Sequence, residues 1–285
     1  MRKRFIWLAA TITALVVAVP AVAITNDGQP DNGEHPFVGM LLFRQPDGIF
    51  GCTGTLLSST VMLTAGHCTE SGGVVNSATW VRMDEVVDLD AVRNRNTSVY
   101  PTPDDFLNDP ANGWIRGTAV PHPKFADFAG FPNTHDVGVV RLSTGVTLSQ
   151  YGQLPTLGQF EFLRRAKGAA EDRRFEVVGY GFQRLVPKKD AQQDSQRYKG
   201  DTTLTGSESA YTNGFNFKFT NSPGNGTGGS GTCFGDSGGP AFWDETNTVA
   251  AITSFGITPH CTGVGFSYRA DIAETLTFVT PFLSP

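Results

Sequence analysis

The chain has no long block of one charge, no C-x-x-C pair, and no internal repeat of 20–50 residues. After its first two dozen residues it also has no apolar run long enough to span a bilayer. Each absence removes a class of function. Only 17% of residues are charged, 22 basic against 27 acidic, and no basic run stands out. Such a chain offers little to a phosphate backbone, so nucleic acid is not an expected partner. The four cysteines, Cys52, Cys68, Cys233 and Cys261, lack paired zinc-ligand spacing, and no metal site is expected from them. Acidic stretches at 84–90 and 103–109 lack EF-hand spacing and read as solvated loops rather than calcium sites.

What is present begins at the first residues. Arg2, Lys3 and Arg4 precede an apolar stretch at 5–19, and Pro20-Ala21-Val22-Ala23 ends in a small-x-small site. That is the layout of a secretory signal peptide over 1–23, so the expected destination is extracellular, with no membrane association once it is removed. Removal leaves 262 residues, enough for one large core or two modest ones, and takes the formal charge from −5 to −8. In an oxidising compartment an even set of four cysteines implies two disulfides.

Short runs rich in Val, Ile, Phe and Thr recur between Gly, Pro, Asn and Asp clusters, at 37–43, 53–57, 61–65, 137–142, 175–180, 215–219 and 248–255. Residues 215–219 alternate Phe with polar residues, the period of a strand with one buried face. Many such strands predict an all-β fold, a sandwich or barrels. One helix is predicted, at 270–280 before Pro281. Residues 221–231 read as a flexible Gly/Ser-rich loop and 69–113 as polar and irregular. Sequons occur at Asn96-Thr97-Ser98 and Asn225-Gly226-Thr227.

Chemistry concentrates in three segments. Residues 231–243, GTCFGDSGGPAFW, set Ser237 in a cluster of glycines. A serine hydroxyl becomes a nucleophile only with a base in reach, and that base needs an orienting partner. VMLTAGHC at 61–68 offers His67, and THDVGVVRL at 134–142 offers Asp136 at the mouth of an apolar run. The chain order is His67, Asp136, Ser237, the chymotrypsin order.

TAGHC, GDSGGP and the Asp136 segment together resemble the secreted serine proteases of the chymotrypsin/trypsin family, over nearly all of residues 24–280. The resemblance implies two packed six-stranded antiparallel β-barrels with a short C-terminal helix, one barrel in 24–150 and the other in 151–285. It implies a serine endopeptidase without cofactor: Ser237 the nucleophile, His67 the base, Asp136 its orienter, and the Gly235 and Ser237 N–H groups the oxyanion hole. Other cysteine pairings are open on the sequence alone. The family pattern implies Cys52–Cys68 and Cys233–Cys261, the first closing a loop for about 3 kcal/mol. Ser254-Phe255-Gly256 resembles the edge on which a substrate strand pairs. Gly231 stands at the position of the pocket-floor residue, beside Thr232, and Gly256 and Gly265 match glycines that keep the pocket walls open. Without an acid at 231, large apolar or aromatic side chains are expected at P1, the residue before the cut bond.

The family's activating ion pair joins a new N-terminus to the acid before the nucleophile, here Ile24 and Asp236. Because the A-x-A site abuts Ile24, signal cleavage itself is expected to liberate that terminus. Asn26 departs from the family glycine in this segment. Expected partners are protein or peptide substrates and proteinaceous inhibitors, and a monomer is expected. Two other readings stay open on sequence: an inactive binding protein of the same fold, and a secreted serine esterase.

Overall fold

A computed structural model of the chain describes residues 24–165, 173–183, 195–222 and 229–284. The signal segment 1–23 and the sequon at 225–227 lie outside the described residues.

The first barrel is built from β1 (Val38–Gln45), β2 (Gly48–Leu56), β3 (Val61–Thr64), β4 (Ala78–Arg82), β5 (Ile115–Pro121) and β6 (Gly138–Leu142). These close antiparallel in the order β1-β2-β3-β6-β5-β4. Successive side chains of a strand point to opposite faces, and β1 uses both. Leu41 and Phe43 join Val81, Val139 and Leu142, whereas Met40 and Leu42 face Trp80, Trp114 and Leu107. That double burial is why residues 37–43 read as an unbroken apolar run.

The second barrel comprises β7 (Arg174–Gly179), β8 (Tyr198–Gly206), β9 (Asn216–Thr220), β10 (Pro240–Trp243), β11 (Val249–Gly256) and β12 (Val264–Arg269). The ring runs β8-β7-β10-β11-β12-β9, and a β8–β9 pairing closes it. Its core is aromatic. Phe175 lies 5.0 Å from Phe219 and 5.9 Å from Phe217 by ring centroid, and Phe160 stands 6.5 Å from Phe217. Offset and edge-on pairs of this kind contribute about 0.5–1.5 kcal/mol each beyond area burial. Ile24 is fully buried in the same cluster.

Three helices depart from the expected pattern. The C-terminal helix spans Ala273–Leu283 and carries Pro281 within its last turn, so it does not stop before the proline. Its missing N–H removes the one bond it would give to the Thr277 carbonyl, and only Phe282 and Leu283 follow it in the helix. Leu89–Arg93 and Pro103–Asn108 are helical inside a region read as irregular. Two of their acids serve their own helix ends: Asp88 accepts from the Ala91 N–H, and Thr102 and Asp105 form a reciprocal capping box.

A buried ionic chain ties the barrels together. His35 Nδ1 is 2.6 Å from Asp31 Oδ1 and its Nε2 3.1 Å from Glu176. Arg197 Nε donates to Asp31 at 2.8 Å, and its Nη1 reaches the Val38 carbonyl of the first barrel at 3.0 Å. Burial alone would raise the Asp31 pKa, but hydrogen bonds from His35 and the Arg197 charge bring it down to about 2. Burial likewise opposes the His35 proton, and the two carboxylates overcome it, raising His35 to about 9. Asp31→Ala should destabilise the fold by about 3–5 kcal/mol, because buried Arg197 loses its carboxylate and His35 loses one of its two. The Asp31 contribution is complete above the ordinary carboxylate pKa and lost as pH falls toward 2. That of His35 is complete below the ordinary imidazole pKa and lost as pH rises through 9. Denaturant melts of both proteins across pH check this; equal midpoints near neutrality would contradict it.

Candidate active site

The cleft between the barrels brings the three candidate side chains to one place. Strand β3 ends at Thr64, and the 3-10 turn Gly66–Cys68 carries His67 to its mouth. The Cys52–Cys68 disulfide anchors that turn to β2. Asp136 lies just before β6, the neighbour of β3, so strand pairing places it beside His67. His67 Nδ1 stands 2.9 Å from Asp136 Oδ2, and the His67 backbone N–H donates to Oδ1 at 2.9 Å. A register shift in the β11–β12 ladder, between Thr253 and Phe255, leaves Ser254 out of pairing. The Ser254 hydroxyl donates to Asp136 Oδ2 in a short hydrogen bond. Phe128, 5.7 Å from the imidazole by ring centroid, shields it and packs on Phe125 and Phe255.

Burial and charge set the protonation of this pair. Burial works against an imidazolium at His67, but the Asp136 charge and hydrogen bond, with Asp127 beyond, outweigh it and raise the pKa. Burial pushes the Asp136 carboxyl up. The His67 charge and the hydrogen bonds from His67 and Ser254 reverse this, so Asp136 lies below the ordinary carboxylate value.

Ser237 lines the same cleft of about 610 Å³ as His67. Among the described residues no hydrogen bond joins its hydroxyl to the imidazole. In unliganded clefts such bonds are often long and tighten when substrate binds. The segment before Ser237 is held rigidly. The Phe182 N–H donates to the Phe234 carbonyl at 2.9 Å. In a trans peptide the N–H points opposite the C=O, so this turns the Gly235 N–H away from Phe182. Gly235 adopts φ +99°, open to glycine and strained for other residues. Its own carbonyl accepts from the Thr53 hydroxyl at 2.8 Å, while Thr53 N–H donates to the Ser237 carbonyl at 2.8 Å. Neither the Gly235 nor the Ser237 N–H has an acceptor among the described residues.

Asp236 points the other way, into the protein. Its carboxylate is fully buried and accepts from the N–H groups of Gly181 and Cys233, both at 2.8 Å. Burial drives its pKa to about 7 despite those two bonds, and no cation pairs with it among the described residues. Gly231, shortly before Asp236 in the chain, pairs with Thr25, whose N–H donates to the Gly231 carbonyl at 2.8 Å.

Of the other sequence candidates, Thr232, Ser254, Phe255, Gly256 and Gly265 line the cleft, as do Cys233 and Cys261, joined in the second disulfide. Gly231 does not line it: the space above Gly231 is taken by Asn221. Asn221, Thr53 and Phe128 belong to no motif, and Asn221 opens the stretch 221–231 that reads as a flexible Gly/Ser-rich loop. Cys52, His67 and Cys68 lie close enough together to suggest metal ligands, but both sulfurs are committed to the disulfide.

A protein-family model, Trypsin, matches residues 24–274. The chain belongs to the trypsin family. Serine protease snk of Drosophila melanogaster is 27% identical over 277 residues, covering 86% of this chain and 54% of that protein. Spaetzle-processing enzyme from the same fly is 27% identical, covering 79% of this chain and 58% of its own length. The chain thus spans little more than half the length of these relatives. Brachyurin of Leptuca pugilator is 28% identical over 249 residues, covering 82% of this chain and 91% of that protein. Among solved structures, HL collagenase superposes with a TM-score of 0.63 at 15% identity, covering 92% of this chain and 98% of that one. That likeness speaks for the double-barrel fold. No helix among the described residues is long and apolar enough to cross a membrane.

Proposed function

We propose that this trypsin-family member is a secreted serine endopeptidase working through an acyl-enzyme, with Ser237, His67 and Asp136 as its triad. The observation that carries the reading is the Ser254–Asp136–His67 relay opening on the Ser237 cleft. Ser237 Oγ attacks the scissile carbonyl as His67 Nε2 takes its proton, and the imidazolium returns that proton to the leaving amine. Water then repeats the sequence to release the acid. The unpartnered Gly235 and Ser237 N–H groups receive the oxyanion, each worth about 2.7–4 kcal/mol in the transition state. The Ser254–Gly256 edge offers backbone for the substrate to pair with as an added strand. The uncharged slot favours large apolar or aromatic P1 residues. Secretion rests on the signal-like start of the chain.

Digestion of a denatured protein by a chain beginning at Ile24, beside Ser237→Ala, with cut sites read by mass spectrometry, tests this. Cuts after large uncharged residues, absent in the variant, are expected. Cutting by both proteins, or by neither with both disulfides intact, would overturn the reading.

Asp236 waits for a cation. A free Ile24 ammonium would supply it, and the buried Ile24 side chain and the Thr25–Gly231 pairing support that insertion. Adding one residue before Ile24 should therefore remove most of kcat/KM, since breaking a buried pair costs about 3–5 kcal/mol. Full activity in the extended chain would refute the pairing. Paired, the ammonium pKa rises above its usual ~8. Its support is complete at low pH and lost as pH climbs through the raised value, giving activity an alkaline limit.

Thr53 acts through Gly235 as a positioning residue. Thr53→Val should lower kcat about tenfold with KM little changed, and Thr53→Ser should restore it. An equal loss in the serine variant would count against the hydroxyl.

A further inference from the structure

The inner lobe of the cleft is where a substrate side chain would enter past Ser237. β11 and β12 wall it through the paired Gly256 and Gly265, with Val264 beside them. A Cβ on Gly256 would meet nothing closer than the Thr258 carbonyl at 4.0 Å, so that side is open. A Cβ on Gly265 would lie 3.0 Å from Asn221 Oδ1 and 3.1 Å from its Nδ2, so that side ends on a carboxamide. A Cβ on Gly231 would lie 2.6 Å from Asn221 Oδ1 and 2.7 Å from its Cγ. The Asn221 amide therefore occupies the volume that a side chain at 231 would fill.

That amide is held in one orientation. Thr232 donates its backbone N–H to Oδ1 at 3.3 Å and accepts from Nδ2 at 3.0 Å. The two bonds decide which end is oxygen. The backbone of Asn221 is anchored as well: its N–H donates to the Gly263 carbonyl at 2.9 Å, and its carbonyl accepts from Asn26 Nδ2 at 3.2 Å. Asn26 adopts φ +75°, a region asparagine tolerates, which accounts for an amide residue in that segment. Asn221 is only 4% exposed.

An amide has two donor hydrogens and two acceptor sites, and Thr232 uses one of each. One donor and one acceptor remain, beside the Thr232 hydroxyl, which has no partner among the described residues. No charged side chain lines this lobe among the described residues; Glu70 and Asp127 line the cleft with His67, on the first-barrel side. A charged side chain would be desolvated without a counter-charge, and a wholly apolar one would leave the floor's polar groups dry.

We propose that Asn221 is the specificity-determining residue of this cleft, supplying the floor that Gly231 lacks and selecting large neutral P1 side chains with a hydrogen-bonding tip, tyrosine before phenylalanine. The proposal rests on the protease reading and narrows its P1 class.

Matched peptide amides with Tyr, Phe or Lys at P1 test it, on the unmodified chain, Asn221→Leu and Asn221→Asp, each counted by titration with a fluorophosphonate. In the unmodified chain kcat/KM for Tyr should exceed that for Phe about tenfold, the worth of one neutral hydrogen bond. Asn221→Leu should bring the ratio to about one. Asn221→Asp should raise Lys relative to Tyr at least tenfold, because a carboxylate now forms the floor. Equal turnover of Tyr and Phe by the unmodified chain overturns the proposal, as do unmoved ratios in variants that titrate fully. A chain that takes no fluorophosphonate refutes the protease reading instead. Binding of p-cresol against toluene, followed by ligand-detected NMR, then still decides the floor: preference for p-cresol supports it and equal binding refutes it.

Discussion

Ser237→Ala should lower kcat by about 10⁶-fold, and Ser237→Ala combined with His67→Ala should be no worse than either alone. The reason is that neither group works without the other. Ser237 is a weak nucleophile until His67 removes its proton, and His67 has no proton to take once the hydroxyl is gone. What survives is the contribution of the Gly235 and Ser237 N–H groups and of substrate binding, about 10³–10⁴ over water. Folding should be unaffected, since Ser237 Oγ holds no hydrogen bond among the described residues while its backbone carbonyl keeps Thr53. Single-turnover kinetics on an activated ester, with circular dichroism beside it, reads both quantities. Multiplying losses in the double variant would mean that the two side chains act independently.

The second large effect belongs to Asp136→Asn, for which kcat should fall about 10⁴-fold with the fold intact. The carboxylate accepts from His67 Nδ1, from the His67 backbone N–H and from the Ser254 hydroxyl. An asparagine amide presents a donor to Nδ1, leaves the proton on Nε2, and so removes the lone pair that Ser237 needs. The pH profile should move as well. In the unmodified chain kcat/KM rises as the imidazole loses its proton, and its midpoint should lie above the ordinary 6.5 because Asp136 raises His67. In Asp136→Asn that limb should shift down, burial being left as the main influence. An unmoved limb would show that Asp136 does not govern the His67 proton.

How much of this was legible beforehand follows from where each signal lives. Ser237 and His67 sit in stretches whose glycines, alanine and cysteine are themselves required by the turn, so local sequence announces them. Asp136 is legible as an acid before an apolar strand. Its convergence with His67 depends on β3 and β6 pairing across some seventy residues, which no local pattern encodes. The strands were readable wherever burial on both faces produced an apolar run, as in β1. The Pro103–Asn108 helix starts on a cap pattern, Thr102-Pro103 followed by Asp105, which a reading of 69–113 by its polar composition passes over.

Thr53 and Asn221 were invisible for a different reason. Each works through atoms outside its own local pattern, Thr53 through Gly235 and Asn221 through Gly231 and Gly265. Threonine in a strand and asparagine before a glycine-rich loop are ordinary in themselves. His35 is a similar case, a histidine before a proline whose importance appears only when Asp31, Glu176 and Arg197 close around it.

The central claim is that Ser237 is an activated nucleophile. Its most direct measurement is labelling of a chain beginning at Ile24 with a fluorophosphonate, mapped by peptide mass spectrometry. One adduct, on Ser237 and lost in His67→Ala, is the predicted result. No adduct on the folded, disulfide-bonded chain, or an adduct on Ser237 that persists at full rate without His67, would contradict it.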